Sequence, residues 1–193
     1  MRLSHMLKEA LKTDRLVIKP PEIDDKVELT QLTNDYEVVQ WLSNMPFPYQ
    51  LEDAEAFIEQ SQEKILKHEI KTYMIFHNKK MIGGIALRDF NEHSCELGYW
   101  LGRKYWSKGF ATEAVGRLLE LGFDELDLNE IYASYKVGNK ASKKNFIIYG
   151  GPTSGMKDFK YLYNVLFVSV LYSGNSFHLD LFENRINGEI CLP

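Results

Sequence analysis

The sequence predicts a mixed α+β fold, with a central, mostly antiparallel sheet and helices on both of its faces. Two observations carry this expectation. The hydrophobic pattern is helical from about Asp24 to Lys67 and changes near Ile70 to β-rich runs. A later strand-helix-strand succession then calls for a parallel strand pair beside the antiparallel ones. With 193 residues, 45% hydrophobic and 26% charged, the chain can bury a sizeable core, and one domain is expected.

The elements follow in order. Residues 1–12 are set apart as an N-terminal extension, in which Ser4-His5-Met6 has the look of a cloning remnant. "RLVIKP", Arg15 to Pro20, alternates and stops at a proline pair, as an opening strand does. Asp24 to Thr33 has an acidic start and helical character, and a short helix carrying Val38, Val39, Trp41 and Leu42 is ended by Pro46 and Pro48. "LEDAEAFIEQSQEKILK" places Ala54, Phe57, Ile58, Ser61 and Ile65 on one helical face. "IKTYMIF", "KMIGGIALRD" and "SCELGYWL" then read as three antiparallel strands in a meander. A helix with Ala111, Ala114, Val115, Leu118, Leu119, Gly122 and Phe123 on its apolar face leads to a strand over Asn129 to Asn139. "KKNFIIYGGPTSG" is compatible with a short helix, Phe159 to Ser173 reads as a last strand or hairpin, and Gly174 to Pro193 stays unassigned.

Composition excludes several functions. A formal net charge of -4 and a pI near 5.8 leave no broad basic surface for nucleic acid. No apolar run reaches the roughly 18 residues of a membrane span, and the N-terminus lacks the apolar core of a secretory signal, so a cytoplasmic location is expected. Cys95 and Cys191 form no C-x-x-C pair, and His5, His68, His77, His93 and His178 are scattered singly, so neither a disulfide framework nor a metal site is expected.

The stretch "YWSKGFATEAVGRLLELGF" joins a glycine-containing turn directly to a long amphipathic helix. The first turn of a helix leaves amides without intrahelical partners and carries about half a positive charge, so it attracts anions. Gly109 allows the backbone close to a phosphate, Ala111 keeps the first turn uncluttered, and Thr112 adds a hydroxyl. These features suit a diphosphate cradle, and equally an ordinary turn before a helix. The run matches neither G-x-x-x-x-G-K-[ST] nor G-x-G-x-x-G.

"ELGYWLGRKYWSKGFATEAVGRLLELGFDELDLNEIYASYKVGNKAS" resembles the acetyl-CoA-binding core of the GNAT N-acetyltransferases, in the branch similar to ribosomal-protein-alanine N-acetyltransferases. "LKTDRLVIKPPEIDD" and "EVVQWLSNMPFPYQLEDAEAFIEQ" also resemble that branch. The family motif Q/R-x-x-G-x-G/A falls on Trp106, Ser107, Lys108, Gly109, Phe110 and Ala111, with Trp106 in place of Gln/Arg and Ser107 where the branch has glycine. Serine there is tolerable at negative φ and weakens the cradle if φ must be positive. The resemblance implies that amides from Lys108 through Thr112 hold the pyrophosphate of coenzyme A. It further implies that "CELGYWL" splays from "EIYASYKV" to admit the pantetheine arm, which pairs with backbone groups near Trp100 and Leu101.

Acetyl transfer to an amine needs a neutral nucleophile, a polarised carbonyl and a protonated leaving thiolate. Glu96 shares strand parity with Trp100 and is the candidate to collect the amine proton through water; a structural ion pair is its other reading. By resemblance Ser142 is the candidate general acid, with Asn139 holding coenzyme A or a water, although both residues also suit helix capping. Phe146 stands near the place where other branches carry a catalytic tyrosine, and Tyr149 is a further hydroxyl in the region. The expected function is acetyl-CoA-dependent acetylation of a primary amine, either a protein N-terminus or a small molecule, with no metal. A homodimer is compatible with this reading. The departure from the family after Lys144, where "NFIIYGGP" replaces a leucine-rich helix, leaves open a non-catalytic acetyl-CoA-binding sensor or interaction module.

Overall fold

The structure is a computed structural model that describes residues 10–42, 45–136 and 139, together with the backbone of two strands between 165 and 182. Its sheet has eight strands, and their spatial order is their chain order, β1 to β8. β1 (Leu11–Lys12) and β2 (Leu16–Lys19) form a tight hairpin, followed by a 3-10 turn at Ile23–Asp25, α1 (Lys26–Thr33), α2 (Tyr36–Val39) and α3 (Leu51–Leu66). β3 (Lys71–His77), β4 (Lys80–Arg88) and β5 (Ser94–Leu101) make the antiparallel meander. After α4 (Phe110–Glu120) come β6 (Glu130–Lys136), β7 (Val165–Ser173) and β8 (Ser176–Phe182). Among the described residues only β5 and β6 pair in parallel; the other neighbouring pairs are antiparallel.

Helices cover both faces of this mixed sheet, as expected from the sequence. On one face α4 buries Ala114, Val115, Leu118 and Leu119 against Ile18, Ile75, Ile85, Leu97 and Ile131. On the other, α1 and α3 bring Leu29, Ala54 and Ile58 onto Met74 and Met81. The two-residue period of β3 divides its residues between these layers, with Tyr73 and Ile75 in the first and Met74 in the second. α3 begins where Gln50 and Asp53 close a reciprocal capping box, the Gln50 amide donating to Asp53 Oδ2 at 2.8 Å. α4 ends in a wider turn at Leu121–Glu125, and the Leu126 amide reaches back five residues to the Leu121 carbonyl at 3.0 Å.

Three sequence expectations change. Trp41 and Leu42 lie beyond α2, which closes at Val39, because the Trp41 and Leu42 amides make three-residue turn bonds to Val38 and Val39. Residues 11 and 12, set aside as an extension, pair with β2 through Leu11↔Ile18 and Lys12↔Val17. The unassigned tail contains β8, which pairs antiparallel with β7 from Ser173↔Ser176 to Phe167↔Phe182. The short helix considered for residues 143–149 lies outside the described residues.

Candidate active site

The antiparallel meander delivers β5 to the middle of the sheet, where its parallel pairing with β6 is short. Register pairs join Ser94 to Glu130, Cys95 to Ile131 and Glu96 to Tyr132, and pairing stops there, although β5 continues to Leu101 and β6 to Lys136. The two strands therefore open a wedge. On the other edge of β5 the register with β4 is unbroken from Arg88↔Glu96 to Gly83↔Leu101. The Gly102 amide donates to the Ile82 carbonyl at 2.9 Å, so by strict alternation the main-chain groups of Trp100 face β4, and those of Tyr99 and Leu101 face the wedge. Gly83 is required beside this segment, since a Cβ there would overlap the Trp100 carbonyl oxygen.

Beyond β5 the chain makes a 3-10 turn at Arg103–Tyr105 and enters α4 through Trp106, Ser107, Lys108 and Gly109. The Trp106 indole N–H donates to the Leu101 carbonyl at 2.7 Å and ties this loop to the end of β5. Ser107 has φ +58° and Gly109 φ +77°, with Lys108 between them outside that region. Alternation of this kind turns successive amides toward one concavity, the geometry of an anion-binding nest. The first bond of α4 runs from the Glu113 amide to the Gly109 carbonyl at 3.0 Å, so the nest continues into the helix's first turn. Serine thus occupies the backbone region that favours glycine. Cationic groups surround the loop, with the Lys104 ammonium 5.0 Å and the Lys108 ammonium 5.9 Å from the Tyr105 ring centroid.

A cluster absent from the sequence-derived candidates holds the loop from behind. Glu113, in the first turn of α4, receives the Thr13 hydroxyl at 2.5 Å, the Arg15 amide at 2.9 Å and the Arg15 Nε at 2.6 Å. Burial opposes ionisation of Glu113, but these hydrogen bonds and the guanidinium charge outweigh it and hold the carboxyl below its ordinary range. Arg15 Nη1 also donates to the Lys108 carbonyl at 3.0 Å, and its guanidinium carbon lies 4.7 Å from the Phe110 ring centroid. The only local hints were the position of "TDR" just before a strand and an acidic residue in a first helical turn.

Glu96 is nearly buried and stands at the closed end of the wedge, on the same face as Trp100. Its Oε2 accepts from Arg88 Nε at 2.9 Å, so the ion pair considered from sequence is present. Tyr132, its register partner on β6, has its phenol pushed up by burial and then by the Glu96 carboxylate. Cys95 points into the core, and burial followed by the Glu96 charge raises its thiol to about 12. Asn139 is half-buried, whereas Ser142, Phe146 and Tyr149 lie outside the described residues. Among the described residues no three His, Cys, Asp or Glu side chains gather as a metal group, and no helix is long and apolar enough to cross a membrane.

Comparison with known proteins fits this geometry to a family. The family model described as "Acetyltransferase (GNAT) domain" matches residues 15–146. An N-acetyltransferase called p20 from Bacillus licheniformis is 34% identical over 140 residues, covering 70% of this chain and 78% of that protein. A ribosomal L7/L12 alpha-N-protein acetyltransferase, RimL, solved in complex with coenzyme A, superposes with a TM-score of 0.73 at 17% identity, over 84% of this chain and 98% of that one. A ribosomal-protein-S5-alanine acetyltransferase from Vibrio fischeri gives 0.72 at 19% identity, over 85% and 97%. Those two likenesses bear on the fold, whereas the match over residues 15–146 and the p20 relative establish the family: the chain is an acetyltransferase and belongs to the GNAT family.

Proposed function

We propose that this enzyme moves an acetyl group from acetyl-CoA directly to a primary amine, supplied by a protein N-terminus or a small molecule. The observation that carries the reading is the combination of the wedge beyond Glu96↔Tyr132 with a loop that enters α4 through Ser107 and Gly109 in left-handed conformations. Amides of Ser107, Lys108, Gly109, Phe110, Ala111 and Thr112 hold the diphosphate, where nest geometry and the helix dipole both favour negative charge. Because Trp100 turns its main chain to β4, the pantetheine amides pair with the edge formed by Tyr99 and Leu101. An N–H on that edge polarises the thioester carbonyl as negative charge builds on its oxygen.

An α-amino group has a pKa of about 8 and needs a smaller push to its neutral form than a lysine at about 10.4. Glu96 takes that proton through an ordered water, with Arg88 fixing the direction of its carboxylate. The neutral amine attacks the thioester carbon, the C–S bond breaks, and the leaving thiolate takes a proton. Ser142 is the proposed donor and Asn139 a ligand for coenzyme A or water, both by family resemblance. RimL, solved with coenzyme A, and the S5-alanine enzyme share the fold, which supports a peptide N-terminus as one acceptor class.

Calorimetric titration with acetyl-CoA tests the cradle, with Gly109→Glu as the control because it places a carboxylate where the diphosphate sits. Binding by the wild type and loss in the variant are expected, followed by coenzyme A release on a panel of peptides and amines. A folded wild type that does not bind acetyl-CoA would overturn the proposal. Binding with no thiol release from any amine would favour the sensor reading instead.

A further inference from the structure

We infer that Arg15, 94 residues before Gly109 in the chain, is a positioning residue that aims the Gly109 amide at the diphosphate. The inference rests on the proposed acetyl-CoA cradle and deepens it by naming what sets the cradle's shape.

A peptide unit is planar, and in the trans form its C=O and N–H point in opposite directions. Lys108 C=O and Gly109 N–H belong to one such unit, and the cis bond recorded in the described chain is Phe47–Pro48. Arg15 Nη1 holds the Lys108 carbonyl at 3.0 Å. With that oxygen drawn toward Arg15, the Gly109 N–H is turned to the opposite side of the loop. Rotation of this one peptide unit would remove a central donor from the nest, even with every residue of the motif in place.

Arg15 can serve in this way because it is itself held at several points. Its amide donates to Glu113 Oε1 at 2.9 Å, and its carbonyl stands 3.1 Å from His77 Nδ1. Its Nε is 2.6 Å from Glu113 Oε2, and Glu113 receives the Thr13 hydroxyl as well. The planar guanidinium thus uses Nε on the helix and Nη1 on the loop, fixing the distance and angle between α4 and the peptide ahead of it. The Phe110 ring, which leans on His77 at 4.6 Å, supports the guanidinium from one side. Arg15 Nη2 lies 3.3 Å from where a Gly109 Cβ would stand, so absence of a side chain at Gly109 also makes room for the arginine. The geometry gives Gly109 two functions: a left-handed backbone and an unobstructed seat for Arg15.

The test separates aim from general support by using two ligands. Acetyl-CoA carries the diphosphate, whereas S-acetylpantetheine ends before it. Both are titrated into wild type, Arg15→Met and Arg15→Lys, with thermal melting to confirm that each variant is folded. Arg15→Met is expected to weaken acetyl-CoA about tenfold, or about 1.4 kcal/mol, while S-acetylpantetheine, measured by displacement, stays within about twofold. Arg15→Lys is expected to behave like Arg15→Met, because one ammonium cannot occupy both the carboxylate and the carbonyl in the guanidinium's fixed geometry. Equal weakening of both ligands would assign Arg15 a general structural role and overturn the inference. Unchanged acetyl-CoA affinity in a folded Arg15→Met would do the same while leaving the cradle intact. A wild type that binds neither ligand would remove the acetyl-CoA reading first, and the aiming role with it.

Discussion

Replacing Ser107 by glycine removes a side chain from a backbone held at φ +58°. An L-residue in that region pays about 1–2 kcal/mol for the approach of its Cβ to the following carbonyl. Glycine avoids this cost but loses more freedom on folding, an opposing contribution of about 0.5–1 kcal/mol. The Ser107 side chain is exposed, so little packing is given up. The balance is a stabilisation of about 0.5–1 kcal/mol. For a chain of this size about 1 kcal/mol moves Tm by roughly 2–4 °C, so Ser107→Gly should melt about 1–4 °C higher. Scanning calorimetry of wild type and variant reads this directly, and Gly109→Ala serves as the reverse perturbation. Alanine there meets a φ of +77° and the Arg15 guanidinium, and should lower Tm and weaken acetyl-CoA together. A Ser107→Gly protein that melts lower than wild type would refute the strain argument, because the hydroxyl would then be supplying more than its backbone conformation costs.

Two further outcomes follow from the charged and buried groups. Because the Glu113 carboxyl is held below its ordinary value of 4.5, its stabilising contribution is complete above that value and disappears as pH falls through the lower folded-state value. Urea unfolding of wild type against Glu113→Gln should therefore show a constant gap from pH 7 to about 5 that narrows in stronger acid; a gap that does not narrow as pH falls below 4.5 would contradict the assignment. Cys95 is fully buried with its thiol raised to about 12, so in a Cys191→Ser background it should resist a disulfide-exchange reagent at pH 8 until denaturant opens the core; rapid modification of the native protein would place Cys95 elsewhere.

What the sequence made legible was local. The β-rich composition of "KTYMIFH" and the helical spacing of Ala114, Val115, Leu118 and Leu119 reported β3 and α4 directly, because each element's own residues carry its signal. β1 escaped because two residues cannot display a period. β8 has alternating Phe177, Leu179 and Leu181 after Gly174-Asn175, so its signal was present in a stretch left unassigned. The proposed cradle loop was readable through its motif, but the sign of φ at Ser107 was not, since serine gives no indication of a left-handed backbone. Arg15 was hidden for another reason. Its partner Glu113 lies 98 positions away, and a pair created by bringing β2 beside α4 leaves little mark on either neighbourhood. Glu96 occupies the face that strand parity assigned to it, and its pairing with Arg88 follows from the β4–β5 register.

The brevity of the β5–β6 ladder also has a mechanical meaning. Since the eight strands lie side by side in chain order, cutting the sheet between β5 and β6 separates everything before α4 from everything after β6 begins. Three register pairs span that seam, beginning at Ser94↔Glu130, and the amides of Asn129 and Glu130 add a stitch at the same end by both reaching the His93 carbonyl. The seam is fastened at one end and unsewn at the other, like a hinge whose leaves are two halves of a single sheet. Under the proposed function the pantetheine arm enters at the unsewn end, where its amides stand in for the missing rungs along the β5 edge and the ligand extends the sheet.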